Sequence, residues 1–216
     1  MTLDQLIAGF RDTAIASCAD AMDKIAGHRG YLGHAIKPRI NDKKIVGPAV
    51  TVLEEATEEA HPPTHAIELI DSADAGSVIV ISINGEADVA VWGGLMTAGA
   101  VANKLEAAVL DGAVRDITEI KGDYDFPVYA RSASPGTTVG RYKTVASNVA
   151  VTVDGIEVKP GDLIVGDIDG VVVIPRDKAE EVLEMAREID EREAEQARLI
   201  IEAGSLQEGL AKYGRI

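Results

Sequence analysis

Apolar residues recur at helical spacing near both ends of the chain. Over residues 3–25 they stand three or four positions apart, which predicts one or two helices. A long charged helix is predicted over roughly residues 178–202, with Gly204 at its end. Two shorter helices are predicted, one around 64–71 and one after a pair of glycines, over 93–104. The pattern therefore places helices before, within and after a different kind of central region.

That central region consists of short runs rich in β-branched residues, which predict strands. One covers 45–53, with an interruption at Gly47-Pro48, and another covers 107–110, closed by a turn at Asp111-Gly112. The remaining predicted strands are 78–83, 127–129, 149–153, 163–165 and 171–174, with turns at Asp154-Gly155, Pro160-Gly161 and Asp169-Gly170. A strand-rich centre between helices indicates an α/β or α+β domain. We expect one domain over 1–216, in which 176–216 forms a C-terminal helical arm.

The composition changes this picture in two ways. Hydrophobic residues make up 46% of the 216 positions but aromatic residues only 4%, so the core is expected to consist of aliphatic side chains. The chain has 21 Lys and Arg against 36 Asp and Glu, a formal net charge of −15. Because contacts to phosphate dominate nucleic-acid affinity, this charge argues against DNA or RNA as a ligand, and against an anionic membrane surface.

Cys18 is the one cysteine, so an intrachain disulfide is impossible and a zinc site built on thiolates is implausible. We expect Cys18 to be a small buried side chain of a helix. The first residues lack a basic region followed by an apolar stretch, and no apolar run approaches membrane-spanning length. These features favour a cytoplasmic protein.

The segment Asp111-Gly112-Ala113-Val114-Arg115-Asp116 carries the most chemical information. Arg115 could bind a substrate carboxylate through two parallel hydrogen bonds, and Asp116 could offer a hard oxygen ligand to Mg²⁺ or Mn²⁺. Chemistry on a small 2-oxo acid needs that combination. Taken alone, however, the hexapeptide fits an ordinary surface Arg–Asp pair better.

A second candidate segment is Gly93-Gly94-Leu95-Met96, which leads into helical sequence. Adjacent glycines let backbone N–H groups approach a ligand, and the start of a helix favours an anion. A tight packing turn is the alternative for a Gly-Gly pair by itself. The separation from Arg115 and Asp116 is typical of one helix plus one strand, so the two segments could converge on one pocket.

Other polar residues leave alternatives open. Glu193 falls in phase with the apolar stripe of the last helix, so it could point into the site of a neighbouring subunit or bend out to water at the rim. His61 and His65 have the spacing of one helical face, but Pro62-Pro63 between them argues against a zinc site.

Several motifs in combination resemble the RraA-like family, which includes divalent-metal aldolases acting on 4-hydroxy-4-methyl-2-oxoglutarate. They are GPAVTV at 47–52, WGGLM at 92–96, DGAVRD at 111–116, FPVYAR at 126–131, PGD at 160–162, DIDGVVVIP at 167–175, REA at 192–194 and KYGRI at 212–216. The similarity covers nearly the whole chain. The combination is specific for the family and much less specific for one substrate.

The resemblance implies a β/β/α fold of the swivelling-domain type, with sites between the subunits of a homotrimer or homohexamer. It implies that Asp116 binds the divalent metal, largely through waters, and that Arg115 binds a 2-oxo acid. The backbone of residues 93–96 would hold the carboxylate of that acid, and Glu193 would reach the site of an adjacent subunit. The implied activity is that of a lyase, by retro-aldol cleavage or decarboxylation through a stabilised enolate.

At one position the chain departs from the characterised aldolases, which carry an acidic residue where this chain has Gly94. One candidate acid/base group is therefore missing, and Glu54, Glu55 or Glu86 could replace it. The departure leaves the substrate and the reaction open. The alternative function is a non-catalytic regulator that binds a protein, as the ribonuclease inhibitor after which the family is named does.

Overall fold

The computed structural model of the chain describes residues 1–211, so the resemblance at 212–216 lies outside the described residues. The helices are α1 Leu3–Asp12, α2 Ile15–Ile25, α3 Thr64–Ser72, α4 Gly94–Ala102, the single turn α5 Ile117–Glu119 with a π-helical turn Ile120–Tyr124 after it, α6 Ala179–Ala203 and α7 Leu206–Leu210. The predicted helices at both ends and in the middle are confirmed.

The strands are β1 Lys37–Pro38, β2 Ile45–Ala56, β3 Val78–Ser82, β4 Ala90–Trp92, β5 Ala107–Val114, β6 Val128–Ala133, β7 Tyr142–Ser147, β8 Val151–Val153, β9 Ile156–Val158, β10 Leu163–Asp167 and β11 Gly170–Ile174. Four of them (β1, β4, β7 and β9) have no counterpart among the strands predicted from the pattern. Each is short or lacks an apolar run, so its sequence carries little periodic signal.

Nine of the described strands form one mixed sheet, and β8 and β9 form a separate hairpin. The main order is β1-β6-β5-β3-β2-β10-β11, with β4 beside β5 and β7 beside β2. The sheet is nearly closed, because the segment before β1 bonds to β11. Leu32 N–H donates to Val171 O at 2.8 Å, and Val173 N–H donates to Gly30 O at 2.9 Å.

Both faces of this sheet are buried. In β3, Val78 and Val80 face an inner cluster, whereas Ile79 and Ile81 pack under α3 and α4. A third cluster joins α1, α2 and the first half of α6 to β10 and β11. Because successive side chains of a strand point to opposite faces, burial of both faces requires unbroken apolar runs of the kind seen in the sequence.

Helix α6 is buried along its first half, where Val182, Ala186 and Ile189 pack against the N-terminal helices. It ends at Gly204, whose φ of 64° is the left-handed conformation that a glycine C-cap supplies. The arm expected for 176–216 stays a prediction. The α/β fold with N-terminal helices and a long C-terminal helix is confirmed.

Two details of the predicted strands are wrong. Asp111 and Gly112 form no turn, because β5 continues through them to Val114. A Cβ atom on Gly112 would lie 2.8 Å from Cδ1 of Ile83, so close packing explains this glycine. Gly47-Pro48 does not interrupt β2 either, since the strand continues and changes its partner there from β10 to β3.

The structure can also be compared with the expectations about Cys18 and about membrane-spanning segments. Cys18 is buried, as predicted, and burial raises the pKa of its thiol to about 12. No helix among residues 1–211 is both long and apolar enough to cross a membrane.

Candidate active site

Strands β4 and β5 bring the two candidate segments together. They run parallel, with Trp92 beside Val114, and the N–H of Arg115 donates to the carbonyl of Trp92 at 3.0 Å. The residues that follow each strand therefore emerge at the same edge of the sheet, where ligands of open α/β sheets commonly bind. The predicted convergence of Gly93-Gly94 with Arg115-Asp116 is confirmed, although β4 itself was not predicted.

Two carboxylates occupy the space beside the glycines. A Cβ atom on Gly93 would lie 2.7 Å from Oδ2 of Asp116, and one on Gly94 would lie 2.3 Å from Oε1 of Glu119. A side chain at either position would displace a carboxylate from the start of α4. The two glycines therefore leave room for both carboxylates, and the one beside position 94 comes from Glu119, which sequence reasoning missed.

The amino end of α4 offers donors to an anion. Its first helical bond joins the N–H of Thr97 to the carbonyl of Gly93 at 3.0 Å, so the preceding N–H groups have no partner within the helix. That of Gly94 donates to Asp116 Oδ2 at 3.0 Å. The N–H groups of Leu95 and Met96 are therefore available to a ligand carboxylate, which the helix dipole also favours.

A buried indole holds this turn in place. Trp92 Nε1 donates to Thr97 Oγ1 at 2.8 Å, and Thr97 Oγ1 in turn donates to the carbonyl of Gly93 at 3.0 Å. The Trp92 ring stacks on Phe126 with the ring centroids 6.1 Å apart and the planes 12° from parallel. The donors at the start of α4 are therefore fixed to the sheet rather than carried on a loose loop.

Arg115 and Asp116 are accessible and only loosely paired. Arg115 Nε lies 3.6 Å from Asp116 Oδ2, and the two side chains are 43% and 39% exposed. Asp116 has a φ of 59°, in the left-handed region that few residues other than glycine, Asn and Asp adopt. An unfavourable backbone conformation that aims a carboxylate at a cavity is typical of functional sites.

A cavity of about 380 Å³ joins these parts. It is lined by Pro63, Ile67, Ile70 and Asp71 from α3 and the residue before it, by Ala90, Val91, Trp92, Gly93, Gly94, Leu95, Met96 and Gly99 from β4 and α4, and by Arg115, Asp116, Thr137, Thr138 and Val139. Six of the seven site residues predicted from the sequence line it. The roles assigned to them stay predictions.

The seventh, Glu193, is exposed on α6 and is not part of this cavity. Its expected reach into an adjacent subunit is untested. Of the suggested replacements for the acid missing at Gly94, none lines the cavity: Glu54 is 1% exposed in the core, Glu55 is solvent-exposed, and Glu86 accepts the N–H of Asp88 at 2.9 Å.

Asp116 is the carboxylate predicted to hold a divalent cation at this site. Among residues 1–211 no three His, Cys, Asp or Glu side chains are grouped so as to hold a metal. Asp116 is a hard oxygen donor, and its partial exposure leaves room for water. Mg²⁺ commonly keeps several waters and binds through one or two carboxylates, so these residues fit such a cation.

A second Arg–Asp network joins Asp111 of β5 to Arg131 of β6. Arg131 Nε donates to Asp111 Oδ1 at 2.8 Å, and its Nη2 donates to Asp154 Oδ1 at 3.1 Å. Oδ2 of Asp154 accepts the N–H of Gly33. Burial raises the pKa of Asp111, although its bonds to Arg131 act against that shift. This network ties β5 and β6 to the β8–β9 hairpin.

The sequence of this chain matches those of known proteins over most of its length. The profile of the RraA-like family, described as Aldolase/RraA, matches residues 15–173. A Halalkalibacterium halodurans protein provisionally named 4-hydroxy-4-methyl-2-oxoglutarate aldolase is 34% identical over 184 residues, which are 84% of this chain and 81% of that protein. The Legionella pneumophila protein DlpA is 33% identical over 84% of this chain, which spans only 29% of DlpA.

Solved structures share the fold. An uncharacterized protein from Pseudomonas syringae pv. tomato superimposes with a TM-score of 0.87 at 31% identity, over 98% of this chain and 95% of the other. Streptomyces coelicolor RraAS2, described as an unusual member of the RNase ES inhibitor RraA family, superimposes with a TM-score of 0.79 at 22% identity, over 88% and 94%. The match to the family profile over most of the chain, together with this shared architecture, places the chain in the RraA-like family.

Proposed function

We propose that this protein is a divalent-metal-dependent lyase that breaks a carbon–carbon bond of a small 2-oxo acid. One observation carries the proposal: the free N–H groups at the start of α4 and the side chains of Arg115 and Asp116 meet in one cavity. An anion-binding helix end, a guanidinium and a hard oxygen donor are the groups that such a reaction needs. The relatives named for aldolase activity support the same class of reaction.

The chemistry follows from this placement. The N–H groups of Leu95 and Met96 hold the C1 carboxylate, and Arg115 donates to the substrate oxygens. In retro-aldol cleavage the C4 hydroxyl loses its proton, the C3–C4 bond breaks, and C3 takes up a proton to give pyruvate and a carbonyl compound. In decarboxylation of oxaloacetate the same bond breaks with loss of CO₂, and C3 again takes up a proton.

A cation bound through Asp116 and water would supply Lewis-acid stabilisation of the charge that develops on the 2-oxo oxygen. Arg115 adds positive charge on the protein side. Glu119 does not itself line the cavity, but it is the second carboxylate at the start of α4, because its Oε1 occupies the space beside Gly94, which does line it. We assign to Glu119 the acceptance and return of the proton, a role for which the sequence suggested Glu54, Glu55 and Glu86.

The test is pyruvate release from 4-hydroxy-4-methyl-2-oxoglutarate and from oxaloacetate, with Mg²⁺, with Mn²⁺ and with EDTA. Asp116→Asn removes the charge while keeping a residue that tolerates the left-handed backbone. Asp123→Asn, at an exposed acid of the neighbouring π-helical turn, is the matched control. We expect metal-dependent release that Asp123→Asn retains and that falls by about 10³-fold in Asp116→Asn.

Equal turnover by the wild type and Asp116→Asn, or turnover unaffected by EDTA, would contradict the proposal. The alternative is a non-catalytic regulator that docks on a basic protein, which the net charge of −15 favours. No pyruvate above the spontaneous rate, together with salt-sensitive capture of a basic partner, would favour that alternative.

A further inference from the structure

Part of the wall of the cavity is apolar and open to solvent. Ile67 of α3, Leu95 of α4 and Val139 of the loop before β7 all line the cavity that contains Arg115 and Asp116. Their exposed fractions are 46%, 89% and 43%. Exposed apolar side chains gathered around a cavity are typical of a surface that a ligand covers.

The charges around the cavity are unevenly distributed. Among the described residues that line it, the charged ones are Asp71, Arg115 and Asp116, so Arg115 is the one cationic side chain. In the proposed function the start of α4, Arg115 and the cation at Asp116 all serve the 2-oxo acid end of the substrate. A second carboxylate would meet aliphatic side chains or Asp71. Both disfavour an anion, the first by removing water and the second by repulsion.

From these two observations we infer that the substrate is a 4-hydroxy-2-oxo monocarboxylate with an aliphatic substituent at C4. This inference rests on the proposed function and narrows its substrate class. Cleavage then releases pyruvate and an aliphatic aldehyde or ketone. The C4 hydroxyl loses one proton, C3 gains one, and no oxidant or reductant is involved. A substrate with a second carboxylate, such as 4-hydroxy-4-methyl-2-oxoglutarate, is turned over more slowly at low concentration.

Two compounds of the same shape test the inference directly. 4-Hydroxy-5-methyl-2-oxohexanoate carries an isopropyl group where 4-hydroxy-2-oxoglutarate carries a carboxylate. We expect kcat/KM for pyruvate release to be about tenfold or more higher for the isopropyl compound. In the unbranched series from 4-hydroxy-2-oxopentanoate upward, kcat/KM should rise roughly fourfold for each added methylene until the cavity is filled.

Matched variants connect the preference to the apolar wall. Ile67→Arg places a second cationic side chain at the cavity and should invert the preference toward the dicarboxylate. Val101→Arg makes the same change at a similarly exposed position of α4 that does not line the cavity, and should leave the preference unchanged. Should Ile67→Arg fail to fold, Asp71→Asn removes the repulsive charge and should raise kcat/KM for the dicarboxylate several-fold.

The outcomes separate this inference from the proposed function. A preference for the dicarboxylate with intact metal-dependent turnover overturns the inference and leaves the lyase in place. No pyruvate from either class overturns both. If Ile67→Arg changes the sedimentation of the protein, Val101→Arg does not, and the preference is unmoved, a second copy of the chain covers the apolar wall and the inference fails.

Discussion

Asp111 within strand β5 and Asp116 just after it belong to two Arg–Asp pairs of opposite character. At Asp111 the pair with Arg131 is buried, with side chains 3% and 17% exposed and an Nε–Oδ1 distance of 2.8 Å. Four residues later, Arg115 and Asp116 are 43% and 39% exposed, with an Nε–Oδ2 distance of 3.6 Å. The same residue types thus satisfy each other in the first pair and remain open to a ligand in the second. Burial and partner geometry, rather than composition, separate a structural ion pair from a candidate site.

The largest expected difference between the pairs is in stability. Arg131→Leu leaves Asp111 buried without a cation, so we expect the free energy of unfolding to fall by about 3–5 kcal/mol. Arg115→Leu acts on an exposed pair and should change it by less than about 1 kcal/mol, while pyruvate release is lost. Urea unfolding of both variants measures the change in unfolding free energy, and kinetic assays measure pyruvate release. Equal destabilisation by the two substitutions would contradict the distinction between a buried structural pair and an exposed one.

The next prediction concerns the carboxylate beside Gly94. Glu119→Gln keeps the shape of the side chain and removes its proton acceptor, so we expect kcat to fall by about 10²-fold with KM nearly unchanged. Glu55→Gln, at an exposed position suggested from the sequence alone, is the control and should behave as the wild type. A loss in Glu55→Gln with full activity in Glu119→Gln would reverse this assignment.

A second buried carboxylate, that of Glu54, sharpens the comparison because it has no ion-pair partner within residues 1–211. Glu54 is 1% exposed, neither of its carboxylate oxygens has a hydrogen-bond partner among residues 1–211, and burial raises its pKa to about 7. Between pH 4.5 and 7 the folded state holds a proton that the unfolded state has released, so stability falls as pH rises through this window. Relative to Glu54→Gln, the wild type should lose about 2–3 kcal/mol of unfolding free energy between pH 5 and pH 8.

Urea unfolding of both proteins at several pH values measures the Glu54 effect. Glu55→Gln again serves as the control, because it changes an exposed carboxylate one residue away. Parallel pH profiles for the wild type and Glu54→Gln would show that Glu54 is ionised in the folded protein, contrary to the prediction.

The smallest expected effect is at the turn between Trp92 and Thr97, which positions the N–H donors at the start of α4. Trp92→Phe removes the Nε1 donor to Thr97 Oγ1 and leaves the aromatic stacking on Phe126. We expect about 1 kcal/mol of lost stability. If this turn positions the substrate carboxylate, KM for the 2-oxo acid should rise several-fold. An unchanged KM with the same loss of stability would mean that the indole supports the fold and not the site.

Local sequence was sufficient for much of the fold and for part of the site. The unbroken apolar runs of β3, β10 and β11 and the helical spacing of α1, α2 and α6 predicted those elements. Burial of one or both faces leaves a periodic trace in the sequence. Gly93-Gly94 and Arg115-Asp116 were recognisable because glycine pairs and adjacent opposite charges are local features.

Other features were decided by tertiary structure alone. Glu119 was missed because its approach to Gly94 depends on β4 lying beside β5, and β4 is too short to show a pattern. Asp111 was assigned to a turn because glycine follows it, and its partner Arg131 lies twenty residues away on β6, beyond the reach of a local pattern. Glu54 was suggested as a replacement for the acid missing at Gly94, although β2 extends to Ala56 and buries its carboxylate in the core. Sequence determines which segments have buried faces, whereas strand register and packing decide which polar groups meet, because those contacts join residues far apart in the chain.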